Sequence, residues 1–187
     1  MLARVRLESK GGALLCRDAG KGLVTVDMGS PGLTWQEIPL AEAKETLQFQ
    51  FELQGRALAA SAVSMGNPHC ILFVGDAEKA PVEQIGPLIE NHGLFPERVN
   101  VEFAQVLDRD RIRMRVWERG VGVTLACGTG AAATAVAAIR KGLVNRKVEL
   151  ILDGGSLILE WREEDGHVLM TGPGVTSFVG QMDIDKL

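Results

Sequence analysis

The stretch CGTGAAATAVAAI, residues 127–139, decides the fold of this chain. Almost every side chain after Gly130 is small or apolar, so a helix formed here has no polar face. A helix without a polar face must be enclosed on every side by other elements. We predict this helix over Thr129 to Lys141, with basic residues favourable at its carboxyl end and Gly142 as its stop.

The rest of the chain shows mainly strand patterns. The segment from Arg111 to Val116 alternates strictly between arginines and apolar residues, which is typical of a half-buried antiparallel strand. Its apolar face comprises Ile112, Met114 and Val116. Runs bounded by turn residues predict the other strands at Gly22–Met28, Gln48–Leu53, Ala57–Met65, Cys70–Val74, Asn100–Leu107, Val148–Leu152, Leu157–Trp161 and Val168–Thr171.

A second helix is predicted to begin near Pro81, a residue acceptable in a first helical turn, and to stop around His92 and Gly93. Strands outnumber helices, and no alternation of strand, helix and strand appears along the sequence. An antiparallel sheet curled around the apolar helix satisfies both patterns. We therefore predict an α+β fold, with a mainly antiparallel sheet around a buried central helix.

The composition is that of a globular protein. Of 187 residues, 46% are hydrophobic and 24% charged, which suits one sizeable domain or two small ones. Lys and Arg number 20 against 24 Asp and Glu, and this net charge of −4 argues against nucleic-acid binding, which depends on clustered cations. The first residues do not resemble a secretory signal, and no apolar run reaches the ~20 residues of a membrane span, so we expect a cytoplasmic protein.

The three cysteines are Cys16, Cys70 and Cys127. An odd number excludes a complete disulfide framework, and their wide spacing excludes a CxxC metal or redox pair. Reduced thiols in the cytosol are the simplest interpretation. The histidines show no metal-ligand spacing either, so no metal site is expected.

Cys127 has the most reactive predicted environment, because it occupies the N-cap position of the apolar helix. Free N–H groups and the positive end of the helix dipole favour an anion there, and the same field is expected to lower the thiol pKa. A carboxylate and a reactive sulfur would then share one pocket. A buried structural cysteine in a glycine-rich turn explains the same residues, and the sequence alone leaves both interpretations open.

Two further turns carry candidate polar groups. Asn67 and His69 lie in an Asn-Pro turn between two predicted strands, and a plain turn with a structural histidine is the alternative. Glu118 and Arg119 end the arginine-rich strand, where Arg119 suits a carboxylate and Glu118 an ammonium group. A surface ion pair is the alternative for these two residues.

Five segments carry a resemblance to a known family: MGNPHC (65–70), FPERVNVEF (95–103), ERGVGVTLACGTGAAA (118–133), GGSLILEW (154–161) and MTGP (170–173). Together they resemble the diaminopimelate epimerase family, in the family's order and over nearly the whole chain. The resemblance implies a barrel-like α+β fold and the cofactor-independent interconversion of LL- and meso-diaminopimelate, a step in lysine and peptidoglycan precursor synthesis. It also implies a small-molecule substrate and, commonly for the family, a homodimer.

Residue roles follow from the same resemblance. The family uses two cysteines on opposite faces of the reacting carbon, one removing a proton and the other returning one, and Cys127 is similar to one of them. The N–H groups of Gly128 and Thr129 match those that hold the reacting carboxylate, and His69 matches a position near the reaction centre. The remaining matches concern the far end of the substrate: Asn67, Asn100 and Arg119 for the distal carboxylate, and Glu118 for the distal amine.

The chain also departs from the family pattern. The opening half of the family, with its own glycine-flanked cysteine, is absent, and Cys16 lacks glycine-rich surroundings. Val123 stands where the family has Glu, and Asp153 where it usually has Pro. We predict a remnant of an N-terminal domain over 1–26, the C-terminal epimerase domain over 27–173, and a terminal segment 174–187 whose strand, Thr176 to Ile184, returns to the missing domain.

Two main hypotheses follow. The first is the C-terminal half of a diaminopimelate epimerase that carries one of two acid/base cysteines and is inactive in inversion when alone. The second is a non-catalytic module that binds an amino-dicarboxylate or assembles with another chain through an uncovered apolar face. A thiol hydrolase is a weaker third hypothesis, since His69 is the one available base and no residue is placed to orient it.

Overall fold

The computed structural model describes residues 4–9, 12–176 and 178–181, in which twelve strands and two helices are found. Neither helix has the length and apolar character that crossing a membrane requires. The helices are α1 (Val82–Glu90) and α2 (Gly128–Arg140). The strands are β1 (Arg4–Ser9), β2 (Gly12–Gly20), β3 (Leu23–Asp27), β4 (Phe49–Leu53), β5 (Arg56–Ser64), β6 (Pro68–Phe73), β7 (Asn100–Asp108), β8 (Arg111–Glu118), β9 (Gly122–Val123), β10 (Lys147–Leu152), β11 (Gly155–Trp161) and β12 (Val168–Pro173).

The strands form one mixed sheet in the order β1-β2-β3-β12-β11-β10-β8-β7-β6-β5-β4, with β9 paired to β8. Most pairs are antiparallel, as predicted, but β6 with β7 and β8 with β10 are parallel. A parallel pair needs a crossover connection, and α1 and α2 supply one each. The expectation that no strand-helix-strand units occur is therefore wrong. The two units are hard to detect in the sequence, because each parallel pair has antiparallel pairs on both sides in the sheet.

The sheet curls but does not close into a barrel. Its two ends, β1 and β4, are not paired with each other. Within the described part of the chain, one isolated bridge joins distant parts of the curled sheet. It links Gly32, after β3, to Ser64, at the end of β5, with backbone N···O distances of 2.9 Å in both directions. The implied barrel is thus an open sheet fastened at one bridge.

Helix α2 lies in the main core, as its composition predicts. Every residue from Gly130 to Ala138 is buried, and strands β5, β6, β7, β10, β11 and β12 contact the helix. The predicted inner face of β8 is also confirmed, since Ile112, Met114 and Val116 are fully or almost fully buried in the same core. Small side chains on all sides of α2 let the strands approach it closely, which places the helix N-terminus at a fixed point of the sheet.

Helix α1 covers the other side of β7 and β8 and belongs to a second core. Val82, Gly86, Ile89 and Glu90 are its buried positions. Gly86 packs directly on the Trp117 ring, where an added Cβ would lie 2.5 Å from Trp117 Cγ. The close approach of α1 to β8 therefore depends on a glycine at this position.

The chain ends differ from the prediction in two ways. Strands β1 and β2 extend the sheet where no strands were expected, because polar and glycine residues interrupt their alternation. The predicted terminal strand, Thr176 to Ile184, is not formed at residues 176 and 178–181, while 177 and 182–187 lie outside the described residues. The proposed division into 1–26, 27–173 and 174–187 stays a prediction.

Candidate active site

Cys127 is the N-cap of α2, as predicted. Its backbone is extended, with φ −134° and ψ 109°, and its residue is 6% exposed. The sulfur accepts a hydrogen bond from the Gly130 N–H at 3.4 Å and lies 3.6 Å from Thr129 Oγ1. The helical ladder starts with the Ala131 N–H on the Cys127 carbonyl at 2.9 Å, so the amides of Gly128 and Thr129 precede it in the first turn.

The expected lowering of the Cys127 pKa is wrong. Burial of the sulfur and the nearby Glu102 carboxyl raise the thiol pKa to about 12, and the hydrogen bonds from Thr129 and Gly130 offset only part of that rise. Glu118 adds to it through the same like-charge effect. The sulfur is therefore held mainly as a thiol at neutral pH.

A chain of polar contacts leads from Cys127 into the core. Asn67 Nδ2 donates to Thr129 Oγ1 at 3.3 Å, and Asn67 Oδ1 lies 3.0 Å from His69 Nε2. The other ring nitrogen, His69 Nδ1, lies 2.6 Å from Glu102 Oε1. His69 and Glu102 are both fully buried. The two predicted residues of the Asn-Pro turn thus belong to the Cys127 site, through Thr129.

Asn100 joins the two predicted turns. Its Nδ2 donates to the Pro68 carbonyl at 3.0 Å, and its Oδ1 accepts the Arg119 N–H at 2.9 Å. The side chain is almost fully buried, whereas Arg119 itself is half-buried and donates from Nη1 to the Glu97 carbonyl at 2.8 Å. The structure therefore brings the Asn-Pro turn and the Glu118–Arg119 turn together.

The Glu118–Arg119 turn is held by a residue that the sequence analysis did not select. Glu90, buried at the end of α1, accepts the Gly120 N–H at 2.8 Å and the Trp117 indole N–H at 2.7 Å. Arg98 Nη1 pairs with the same carboxylate at 3.2 Å. Glu118 points the other way and accepts a hydrogen bond from the Thr124 hydroxyl in the loop before Cys127.

The Cys127 loop is also supported from the β10–β11 turn. The Gly154 N–H donates to the Leu125 carbonyl at 2.7 Å. Asp153, the residue that departs from the family pattern, pairs with Arg113 and lies 3.6 Å from Arg115 Nε. Val123 is 39% exposed in β9, opposite Trp117 in the register.

A family model matches the part of the chain that forms this site. The model for diaminopimelate epimerase matches residues 61–176, which include the Asn-Pro turn, Asn100, the Glu118–Arg119 turn and α2. The chain belongs to the diaminopimelate epimerase family. It is 54% identical over 179 residues to the diaminopimelate epimerase of Phenylobacterium zucineum, covering 94% of this chain and 64% of that protein. For the enzyme of Rhodospirillum centenum the values are 52% over 180 residues, 96% and 61%.

The chain thus spans only about three fifths of the length of these two relatives. Solved structures support the fold alone. A hydroxyproline epimerase from Agrobacterium vitis superposes with a TM-score of 0.67 at 17% identity, covering 94% of this chain and 57% of the other. A phenazine biosynthesis protein of the PhzF family from Bacillus anthracis gives 0.55 at 10% identity, covering 91% and 65%.

Glu102 and Glu90 are the site residues that the sequence analysis missed. Glu102 stands inside the apolar run of β7, and a charged residue among Val101, Phe103 and Ala104 indicates a buried polar contact. That feature was available in the sequence, within one of the family-like segments. Glu90 offered no such feature, because a Glu at the end of an amphipathic helix is usually solvated.

Proposed function

We propose that this chain carries one proton-transfer face of a diaminopimelate epimerase. In this proposal the Cys127 sulfur takes the α-proton from, or returns it to, one stereoisomer, and no cofactor takes part. The Gly128 and Thr129 amides bind the α-carboxylate and stabilise the charge that moves onto it as the C–H bond breaks. The observation that carries the proposal is the Cys127 sulfur at the N-cap, beside the first-turn amides of α2.

The thiol state of Cys127 fits this role. A thiol with a pKa raised to about 12 is a proton donor at neutral pH, and the complementary base has to come from the opposite face. Cys70 is fully buried, and Cys16 lies on β2, which is two strands away from β12 and is not among the strands found to contact α2. We therefore assign the second acid/base group to the part of the family that this chain lacks.

The distal end of the substrate is assigned to the joined turns. Arg119 keeps guanidinium donors beyond the one used on Glu97, and it is suited to bind a carboxylate in bidentate fashion. Asn100 holds the backbone of Arg119 and Asn67 bonds Thr129, so both support the site through the protein. The Glu118 carboxylate offers a partner for the distal ammonium group. His69 stays near the reaction centre but is too deeply buried to touch the substrate.

Proton exchange in deuterated water tests the proposal. We expect the chain to incorporate deuterium slowly at one α-carbon of diaminopimelate and to produce no inverted product. The exchange rate is expected to rise about tenfold per pH unit below the thiol pKa, because the thiolate fraction does so. Cys127→Ser is expected to abolish exchange, whereas the matched control Cys16→Ser retains it. Absence of exchange in the native chain, or full inversion at enzyme-like rates, would contradict the proposal.

Assembly with another chain is a second candidate, favoured by one specific observation. Val5, Leu7 and Leu15 on the edge hairpin β1–β2 are each about half exposed, at 51%, 50% and 48%. An apolar edge hairpin of this kind favours association, including a homodimer. Sedimentation of the native chain and of a Val5→Lys, Leu7→Lys variant tests it: a monomeric native chain excludes this candidate, and dissociation by the variant supports it.

A further inference from the structure

The hydrogen-bonding capacity of the buried His69–Glu102 pair leaves few arrangements for its protons. His69 Nε2 faces the carbonyl oxygen of Asn67, which can only accept, so this nitrogen must carry a proton. His69 Nδ1 faces Glu102 Oε1 at 2.6 Å, a distance that requires one proton between them. The pair is thus satisfied by one proton on Nε2 and one shared proton on the Oε1–Nδ1 axis.

The second oxygen of Glu102 indicates that the shared proton is bound mainly to the Glu102 carboxyl. Glu102 Oε2 is buried and has no hydrogen-bond partner among the described residues. An ionised carboxylate with a bare oxygen in the core is costly, and burial accordingly raises the pKa of Glu102 above its ordinary value. A proton retained on the Glu102 carboxyl at neutral pH removes that cost.

The proton on His69 Nε2 gives the contacts beyond it a single direction. Asn67 accepts from Nε2–H with its carbonyl, which turns its amide N–H towards Thr129 Oγ1. The Thr129 hydroxyl then has its lone pair engaged and its own proton free for the Cys127 sulfur at 3.6 Å. Each group donates to the next, and the chain of donors ends on sulfur.

Gly130 keeps this arrangement compact. A Cβ at position 130 would lie 2.7 Å from Glu102 Oε1 and 3.2 Å from Cys127 Sγ. No side chain therefore fits between the Glu102 carboxyl and the sulfur, and the two groups influence each other directly. The titratable groups that face Glu102 are His69 and Cys70 on β6, Glu118 on β8, and Cys127 at the start of α2.

We infer that Glu102 is a positioning residue of this site: its carboxyl donates the shared proton to His69 Nδ1, which keeps the imidazole proton on Nε2 and so fixes a one-way chain of donors through Asn67 and Thr129 to the Cys127 sulfur. The inference rests on the proposed role of Cys127 in proton transfer, which it deepens. Glu102 itself does not touch the substrate.

The wild-type chain gives the first test. In ¹⁵N-histidine-labelled protein at about pH 7, we expect His69 Nε2 to show a directly bonded proton that exchanges slowly with water. Resonances are assigned by difference from His92→Gln and His167→Gln. A proton on Nδ1 alone, with Nε2 bare, would overturn the inference without requiring any change at Glu102.

A matched pair of variants gives the second test. Glu102→Gln and Glu102→Met both remove the ionisable carboxyl, but only the Gln amide can donate a hydrogen to His69 Nδ1 and so exclude the tautomer that is protonated there. We expect iodoacetamide to modify Cys127 about fivefold more slowly in Glu102→Met than in Glu102→Gln, since one hydrogen bond to sulfur is lost. The modified peptide is followed by mass spectrometry, which separates Cys127 from Cys16.

Controls separate this inference from the proposed function. Glu52→Gln and Glu52→Met, at an exposed position of β4, are expected to react at the wild-type rate. Equal rates in the two Glu102 variants would contradict the inference, and if Glu102→Met fails to fold, the His69 measurement on the wild-type chain still decides it. Neither readout requires turnover of diaminopimelate, so a failure of α-proton exchange counts against the proposed function alone.

Discussion

The side-chain oxygen of Asn100 accepts the backbone N–H of Arg119 at 2.9 Å. The family resemblance predicts that Asn100 binds the distal carboxylate of the substrate, but this contact turns its side chain towards the protein backbone. An Asn that matches a substrate-binding position is expected to present its amide to the ligand, whereas here both ends of the amide are engaged by the protein, one on Arg119 and one on Pro68. The geometry supports a role for Asn100 in setting the position of the Arg119 turn.

Asn100→Ala is predicted to destabilise the chain by about 1–3 kcal/mol, because it removes the side-chain partner of the buried Pro68 carbonyl and of the half-buried Arg119 N–H. Asn100→Asp keeps the acceptor for Arg119 but turns an acceptor-only carboxylate oxygen towards the Pro68 carbonyl in a buried position, so it is expected to lose at least as much. Urea unfolding measures both. Asn91→Ala removes a similar side-chain-to-backbone bond at an exposed helix end and serves as the control, with an expected loss below about 0.5 kcal/mol. Equal losses at positions 100 and 91 would refute the assignment.

Glu90 is predicted to hold the same turn from the other side. Replacing it by Ala deprives the Gly120 N–H and the Trp117 indole N–H of their acceptor and leaves Arg98 without its partner. We expect a loss of about 3 kcal/mol, and a smaller loss for Glu90→Gln, which retains one acceptor oxygen. The Trp117 indole N–H resonance reports the contact directly. An unchanged resonance in Glu90→Ala would show that the contact is not formed in solution.

Gly86→Ala is predicted to displace α1 from β8. Its Cβ would meet Trp117 Cγ at 2.5 Å, and the ring is fixed by its bond to Glu90, so the helix has to move. Overpacking of this kind costs about 1–3 kcal/mol. Gly75→Ala is the matched control, since nothing lies within 4 Å of a Cβ there. Thermal unfolding of the two variants is compared with that of the native chain, and similar melting temperatures for both would disprove the predicted clash.

The elements best predicted from the sequence are those with an uninterrupted pattern. The apolar run 131–139 predicts a helix that is enclosed on all sides, and the strict alternation of β8 predicts which of its faces is buried. Strand β2 was missed because its nine residues include charged and glycine residues, and its pairing with β1 and β3 is a tertiary outcome. The parallel pairs were missed for a related reason, since the sequence does not state which strands are neighbours.

For the candidate site, too, local sequence patterns predict some features, whereas others depend on the tertiary structure. Cys127 and the turns around Asn67 and Arg119 were selected because their residue types and spacing resemble a family pattern, and their roles stay predictions. The direction of the Cys127 pKa was wrong, because the helix N-terminus is visible in the sequence while the burial of the sulfur and its distance from Glu102 are not. The helix effect is local, whereas desolvation depends on how the whole sheet encloses α2.

The Asp27 carboxylate predicts a pH dependence of stability. Burial alone would raise its pKa, but the Gly29 N–H at 3.0 Å and His167 Nδ1 at 2.9 Å, with Arg162 beyond, hold the pKa below its ordinary value. A pKa depressed in the folded state stabilises the fold above about pH 4, the range of an unperturbed Asp, and that contribution disappears as the pH falls through the folded-state pKa.

Asp27→Asn is therefore predicted to cost about 1 kcal/mol near neutral pH, and the difference from the native chain is predicted to stay nearly constant down to about pH 5 and to shrink below about pH 4. Urea unfolding at several pH values measures it. Asp18→Asn is the matched control on β2: Asp18 also accepts an N–H two residues ahead, from Gly20 at 2.7 Å, but it is exposed and no ion pair involves it among the described residues. A difference for Asp27→Asn that stays constant with pH would show that its charge does not stabilise the fold.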